Sequence, residues 1–253
     1  MICKYAVASD IGLRRSLNED TYGIDDDLNL FVIADGMGGH AAGEIASEMA
    51  VKQVLGFIRE SLLDEAMTWP FGLDMKLTTD ANRILSAIRL ANQTIFSAAS
   101  NRKDLRGMGT TLVMAFFRPA GVYIAHVGDS RAYLLRNGKI TQITRDHSLI
   151  EDQKFRKIIP PDHSGSFAFK NVITRALGIM EEVEADIQKL PIETGDRFLL
   201  CTDGLTDMLS QEEITSVLQN SQSTLDTLCK EFVDRANAHG GKDNITAILI
   251  DCL

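Results

Sequence analysis

Proline is scarce in this chain, with 5 among 253 residues, and there is no Gly/Ser run, low-complexity tract or internal repeat. Nothing reads as a linker, so a length that could hold one large domain or two small ones is taken as one domain, residues 1–253. Cysteine is scarce too. Cys3, Cys201, Cys229 and Cys252 make no CxxC pair and no zinc-ligand spacing, and they read as small core residues in a reducing, cytoplasmic setting. No apolar run approaches membrane-spanning length, and the opening "MICKYAVASD" is too polar and too short for a signal peptide, so no membrane partner is expected. An excess of basic residues is also missing. The formal net charge of −9 argues against a nucleic-acid partner, whose phosphates need clustered Lys and Arg.

What is present is the composition of a soluble globular protein, 45% hydrophobic and 24% charged. Short apolar runs bounded by Gly, Asp or Asn read as strands over 29–35, 110–117, 121–129, 131–136, 196–203 and 244–250, with another possible strand after "NED" (18–20). Asn137-Gly138, between "RAYLLR" and "KITQIT", signals a tight hairpin and hence antiparallel pairing. Helical stripes appear at Ile84, Ile88, Ala91 and Ile95, at Leu225, Leu228, Phe232 and Ala236, and less regularly at Ile45, Met49, Val54 and Ile58. Strands and helices come in blocks without a strict βαβ rhythm, which predicts antiparallel sheets with helices packed outside them. The stretch of about 148–170, broken by Pro160-Pro161 and Gly165, reads as a surface excursion or lid.

The acids at strand ends are the chemical signal. Asp35 closes "LFVIAD", Asp129 closes "YIAHVGD", Asp203 closes "FLLCTD", Asp243 precedes the last strand, and Glu19 and Asp20 precede an early one. Each alone is an ordinary turn residue. Together, at one edge of a sandwich, such carboxylates would repel and shift their pKa values unless cations sat among them. Hard divalent ions favour such oxygen-rich sites, and Gly36 and Gly204 would let backbone approach closely. Spacing makes a metal site plausible without identifying a reaction.

In order along the chain, "RRSLNED" (14–20), "VIADGMGGHAAGEIAS" (32–47), "MGTTL" (108–112), "AHVGDSRAYLL" (125–135), "ITRDHS" (143–148), "NVITRALG" (171–178), "GDRFLLCTDGLTDML" (195–209) and "KDNITAILI" (242–250) resemble the metal-dependent protein phosphatases (PPM, type 2C), in their compact bacterial form. The resemblance implies an α+β fold, a four-layer α-β-β-α sandwich with two central antiparallel sheets, and a dinuclear centre of Mn²⁺ or Mg²⁺ at one edge. By that resemblance Asp35 bridges two ions. Glu19 and the Gly36 carbonyl complete one, Asp203 and Asp243 the other. Asp129 with Asp203 matches the site of a weaker third ion, and Asp20 orients ligands or waters from behind.

The implied reaction is hydrolysis of phosphoserine and phosphothreonine in phosphoproteins by a hydroxide shared between the ions. Arg15 matches the phosphate-binding arginine of the family, and His40 its proposed proton donor to the leaving alkoxide, a metal-bound water being the alternative donor. A cognate bacterial Ser/Thr kinase is the implied opponent. Two other classes stay open: a binding module that kept the fold and lost turnover, and a two-metal phosphoesterase acting on small substrates. The first would be signalled by a missing ligand, yet Glu19, Asp35, Asp203 and Asp243 are all present.

Several residues are read structurally. His126 belongs to the core, His147 braces a loop, and His163 and His239 lie in loops. Cys229 and Arg235 have the spacing of a cysteine-dependent phosphatase, but "CKEFVDR" is bulky and falls in a helical stripe, so the spacing reads as coincidence. Arg14 beside Arg15 reads as a solvated neighbour.

Overall fold

The structure, a computed structural model, describes residues 3–39, 42–64, 67–156 and 172–253. One sheet runs β1 (Cys3–Asp10), β11 (Ile245–Cys252), β10 (Arg197–Cys201), β7 (Arg131–Arg136), β8 (Lys139–Gln142). The other runs β2 (Asp20–Asp25), β3 (Leu30–Met37), β5 (Leu112–Arg118), β6 (Gly121–Val127), β9 (Asp186–Leu190), with the two-residue β4 (Gly109–Thr110) on the end of β3. Every pairing is antiparallel.

Side-chain alternation along the central strands builds the layers, because successive Cβ atoms point to opposite faces. In β3, Leu30, Val32 and Ala34 face α1 (Ala42–Leu63) and α2 (Thr79–Asn101), while Phe31 and Ile33 face the opposite sheet. In β5, Leu112, Met114 and Phe116 divide from Val113, Ala115 and Phe117 in the same way. In β11, Ala247 and Leu249 pack against α4 (Asp203–Thr206), α5 (Gln211–Leu218) and α6 (Leu225–Ala238), while Ile248 and Ile250 face inward. Three cores, one between the sheets and one under each helical layer, make the four-layer sandwich. Phe31, Phe117 and Phe198 step across the inter-sheet core in edge-to-face contacts at 5.9 and 5.4 Å.

All six expected runs form strands, and the Asn137-Gly138 hairpin forms with both residues at positive φ. The three helical stripes lie on α2, α6 and α1. Sequence reading passed over β1, whose residues alternate weakly, and β9, whose "DIQKL" is only partly buried. The stretch of about 148–170 was expected to be an irregular surface excursion or lid. The first part of that stretch is a helix, α3 (Leu149–Phe155), started by the Ser148 side chain accepting from the Glu151 N–H; the rest lies outside the described residues. No helix among the described residues is long and apolar enough to cross a membrane.

Phe117 touches aromatic rings from both sheets, so its truncation leaves a cavity at the centre of the sandwich. Phe117→Ala should cost about 3–4 kcal/mol in denaturant unfolding; a loss below about 1 kcal/mol would show that the aromatic steps do not hold the sheets together.

Candidate metal centre

The β2–β3 register sets Asp20 directly opposite Asp35. Just beyond, the Gly36 N–H donates to the Glu19 carbonyl at 3.0 Å. There is no room for a side chain at Gly36: a Cβ would stand 2.0 Å from the Gly43 carbonyl oxygen at the start of α1. That close approach puts the Glu19 carboxylate on the Gly43 N–H, at the positive end of α1. The backbone of Asp35 is clamped on both sides. Its N–H donates to Thr111 Oγ1 at 3.1 Å, and its carbonyl accepts from the Thr111 N–H and the Thr110 hydroxyl, each at 2.9 Å.

The other acids arrive from the second sheet and from β6. Asp203 is the first residue of α4, directly after β10, and Gly204 beside it packs so tightly that a Cβ would stand 1.9 Å from the Asn244 carbonyl oxygen. Asp243 precedes β11 and pairs with Arg15 at 2.5 Å. Asn244 ties the chain together here. Its Nδ2 donates to the carbonyls of Ile11 and Leu17, both at 2.9 Å, and its Oδ1 accepts the Glu19 N–H at 2.8 Å. Asp129 follows Gly128, which His147 grips twice: the Gly128 N–H donates to His147 Nδ1 at 3.1 Å, and the His147 N–H donates to the Gly128 carbonyl at 2.9 Å.

The electrostatics show that these groups share one site. Burial, followed by the charges of Asp20, Asp203, Asp129 and Asp243, raises Asp35 well above the usual carboxylate range. Asp20 is pushed up to about 7 by burial, with two hydroxyl hydrogen bonds opposing and Asp203 and Asp243 adding. Burial and then Asp203 lift Asp129 to about 7; burial and then Asp243 lift Asp203 to about 6. Glu19 is raised by burial despite Arg15 and the Gly43 N–H. Arg15 is raised by its bond to Asp243, with Glu19 and Asp35 within reach of its charge. Every acid singled out in the sequence, Gly36 and Arg15 therefore meet at one edge of the sandwich. His40 lies outside the described residues.

The donor set fits divalent cations. Asp20 Oδ1, Asp129 Oδ1 and Asp203 Oδ1 are buried oxygens with no hydrogen-bond partner, which proteins rarely leave uncompensated. A cation removes both costs, the orphaned acceptor and the mutual repulsion. A tighter triad lies elsewhere: among the described residues, His126, His147 and Asp186 hold donor atoms that all fall within 4.8 Å of one another. Its hydrogen bonding disfavours a metal. His147 Nδ1 accepts the Gly128 N–H, so the ring proton sits on Nε2, the nitrogen 3.5 Å from Asp186 Oδ2. His126 Nε2 is committed to the Arg145 carbonyl at 2.8 Å, and the two rings stack at 4.5 Å. Burial and the neighbouring His126 and Arg175 charges push His147 down to about 4, so it is a neutral brace.

Sequence reading missed the neutral side chains that hold the acids. Thr202 and Thr246 both donate to Asp20 Oδ2, at 3.0 and 2.7 Å, and Thr202 Oγ1 accepts the Thr246 N–H at 3.0 Å. Thr111 and Ser130 share a hydroxyl contact of 2.7 Å beneath Asp35 and Asp129. The Cys229 coincidence is resolved by α6: the thiol is buried, donates to the Ala6 carbonyl, and is pushed up to about 12 by burial.

Residues 14–249 match the family described as Protein phosphatase 2C. The serine/threonine phosphatase stp of Listeria monocytogenes is 38% identical over 96% of this chain and 93% of its own length. The crystal structure of the Mycobacterium tuberculosis serine/threonine phosphatase PstP/Ppp superposes with a TM-score of 0.84 at 34% identity, covering 100% of this chain and 99% of that one. A structure of the PstP catalytic domain, described as in complex with two manganese ions, superposes at 0.79 with 34% identity over 99% and 98% of the two chains. With these matches spanning nearly the whole chain, it belongs to the protein phosphatase 2C family of serine/threonine phosphatases.

Proposed function

We propose that the acid cluster holds two divalent cations, Mn²⁺ or Mg²⁺, and that the chain hydrolyses phosphoserine and phosphothreonine in proteins, opposing a bacterial Ser/Thr kinase in cytoplasmic signalling. The observation that carries this reading is the convergence of five aspartates and Glu19 on one edge, with three carboxylate oxygens buried and unpartnered. The manganese bound by the similar PstP domain supports it. In this assignment Asp35 would serve both ions, Glu19 and the Gly36 carbonyl would help hold one, and Asp203 and Asp243 the other. Asp129 and Asp203 take a weaker third ion, and Asp20, held by Thr202 and Thr246, orients from behind. The whole chain acts as one catalytic domain, with 148–170 as a lid.

When bound, two such ions would lower the pKa of water and so make a nucleophile available at neutral pH. The chain supplies the rest. Arg15, half-exposed and steadied by Asp243, offers its remaining N–H groups to two phosphoryl oxygens and to the charge that spreads over them. Asp243 fixes the direction of that guanidinium. His40 protonates the departing serine or threonine Oγ.

Three outcomes test this reading. Phosphate release from a phosphothreonine peptide should need Mn²⁺ or Mg²⁺, stop in EDTA, and fall by about a thousandfold or more in Asp35→Asn. Undiminished turnover in EDTA, or a preference for nucleotides over the peptide, would overturn it; no release from folded protein under any metal would favour a binding module.

Thr202→Val keeps the shape and removes the hydroxyl, leaving Asp20 and the Thr246 N–H each short of a partner. It should lower stability by roughly 1–3 kcal/mol and weaken metal binding about 10- to 100-fold, while Thr202→Ser keeps both. Calorimetric titration with Mn²⁺ and denaturant unfolding read the two effects, and a Val variant equal to wild type would remove Asp20 from its orienting role.

Stability should also couple ions to pH. Folded values of about 7 for Asp20 and Asp129 and about 6 for Asp203 stand above the ordinary 3.8. The ion-stripped fold therefore holds protons that the unfolded chain releases, and loses stability as pH rises from about 4 through about 6 to 7. His147, depressed to about 4, acts oppositely, losing stability as pH falls from its ordinary 6.5, and cancels when one pH is compared with and without ion. The rise in unfolding temperature on adding Mn²⁺ should be larger at about pH 8 than at about pH 5.5; equal rises would contradict the ligand set.

A further inference from the structure

The first and last strands carry a second reactive arrangement, away from the acids. Cys3 in β1 is the register partner of Cys252 in β11. The backbone of Cys252 is committed to the other side: its N–H donates to the Asp196 carbonyl and its carbonyl accepts from the Gly195 N–H, both at 2.9 Å. In an antiparallel sheet both backbone groups of a residue serve the same neighbour, so toward β1 Cys252 forms a non-hydrogen-bonded pair. That is the closer type, with Cα atoms about 4.5 Å apart and side chains on one face, inside the roughly 4.4–6.8 Å a disulfide spans. Cys252 belongs to the inter-sheet core and Cys3 packs against that same core.

We propose that Cys3 and Cys252 are a disulfide-forming pair, joined when the protein meets a small-molecule disulfide oxidant such as glutathione disulfide. Access and chemistry assign the order. Cys252 is 2% exposed, whereas Cys3 is half-buried on an edge strand and is the sulfur an oxidant reaches. The Cys252 S–H bond holds the Cys3 thiol below its ordinary range, which raises its thiolate fraction. The Cys3 thiolate attacks one sulfur of glutathione disulfide, breaks that S–S bond and releases one glutathione thiolate, which takes up a proton. The Cys252 thiol, having lost its proton to solvent, then attacks Cys3 Sγ and releases the second glutathione. Two protein thiols are oxidised and one glutathione disulfide is reduced to two thiols. Cys201 and Cys229 take no part. Cys201 faces Ala247 and Arg131 across its strands, Cys229 lies within α6, and burial pushes both thiols up to about 12.

The site is independent of the phosphatase assignment, so its test needs no activity. Reduced protein would be equilibrated with glutathione disulfide, denatured, and its free thiols counted beside an intact-mass measurement and a peptide map. The expected result is a loss of two of four thiols, a mass lower by about 2 Da, and one linked peptide pair joining Cys3 to Cys252. Cys3→Ser and Cys252→Ser should each abolish the link, and oxidation should raise the unfolding temperature of wild type only. Four thiols surviving the most oxidising mixture, a glutathione adduct left standing on Cys3, or a link between two chains instead of within one would each overturn the proposal.

Discussion

Carboxylates crowded at one edge of a β-sandwich repel one another, and the local architecture is organised around containing that repulsion. The acids lie in or beside β2, β3, β6, α4 and β11, so no single loop carries the strain. The backbone beside them is pinned by neutral groups, with Thr110 and Thr111 on Asp35, Asn244 between Glu19 and the 11–17 loop, and His147 on Gly128. Among the described residues only Arg15 pairs directly with one of these acids, and it stands at the exposed rim. A positive group in the interior would neutralise the very charge that attracts divalent ions.

The neutral scaffold explains how Asp20 stays buried. Its Oδ2 takes two threonine hydroxyls while its Oδ1 is left without a partner, and Ser9 extends the hydroxyl chain through Thr246 at 2.8 Å. Asp146 shows the contrasting solution. Arg131 grips it through two nitrogens at 2.7–3.1 Å, a charge-neutral pair that ties the 143–148 segment to β7 and leaves nothing for an ion. Carboxylates of the same chemistry are thus divided between structural and ion-facing duty by whether an arginine reaches them.

The acids and glycines of the centre were legible in the sequence because strand-terminal Asp–Gly pairs interrupt apolar runs, and the ordered motifs fixed which of them belong together. The strands with strong alternation, such as β3 and β5, were legible for the same reason. What stayed hidden depends on partners far along the chain. Thr202 and Asp20 meet across 182 positions, and a lone threonine carries no local sign of such a contact. Strand β1 looks like a polar leader until its register with β11 is known, and the Cys3–Cys252 pairing is invisible without that register. The helix α3 was masked by the proline pair downstream.

Strict side-chain alternation in β3 and β5 has a consequence for how this chain tolerates change in length. Inserting or deleting one residue within β3 would exchange its two faces, moving Phe31 and Ile33 beneath the helices and Leu30 and Val32 between the sheets, and would carry Asp35 away from Asp20. Frame in these strands is as binding as reading frame is in a gene. Viable insertions are therefore confined to connections such as that between α1 and α2, where extra residues alter reach without altering phase.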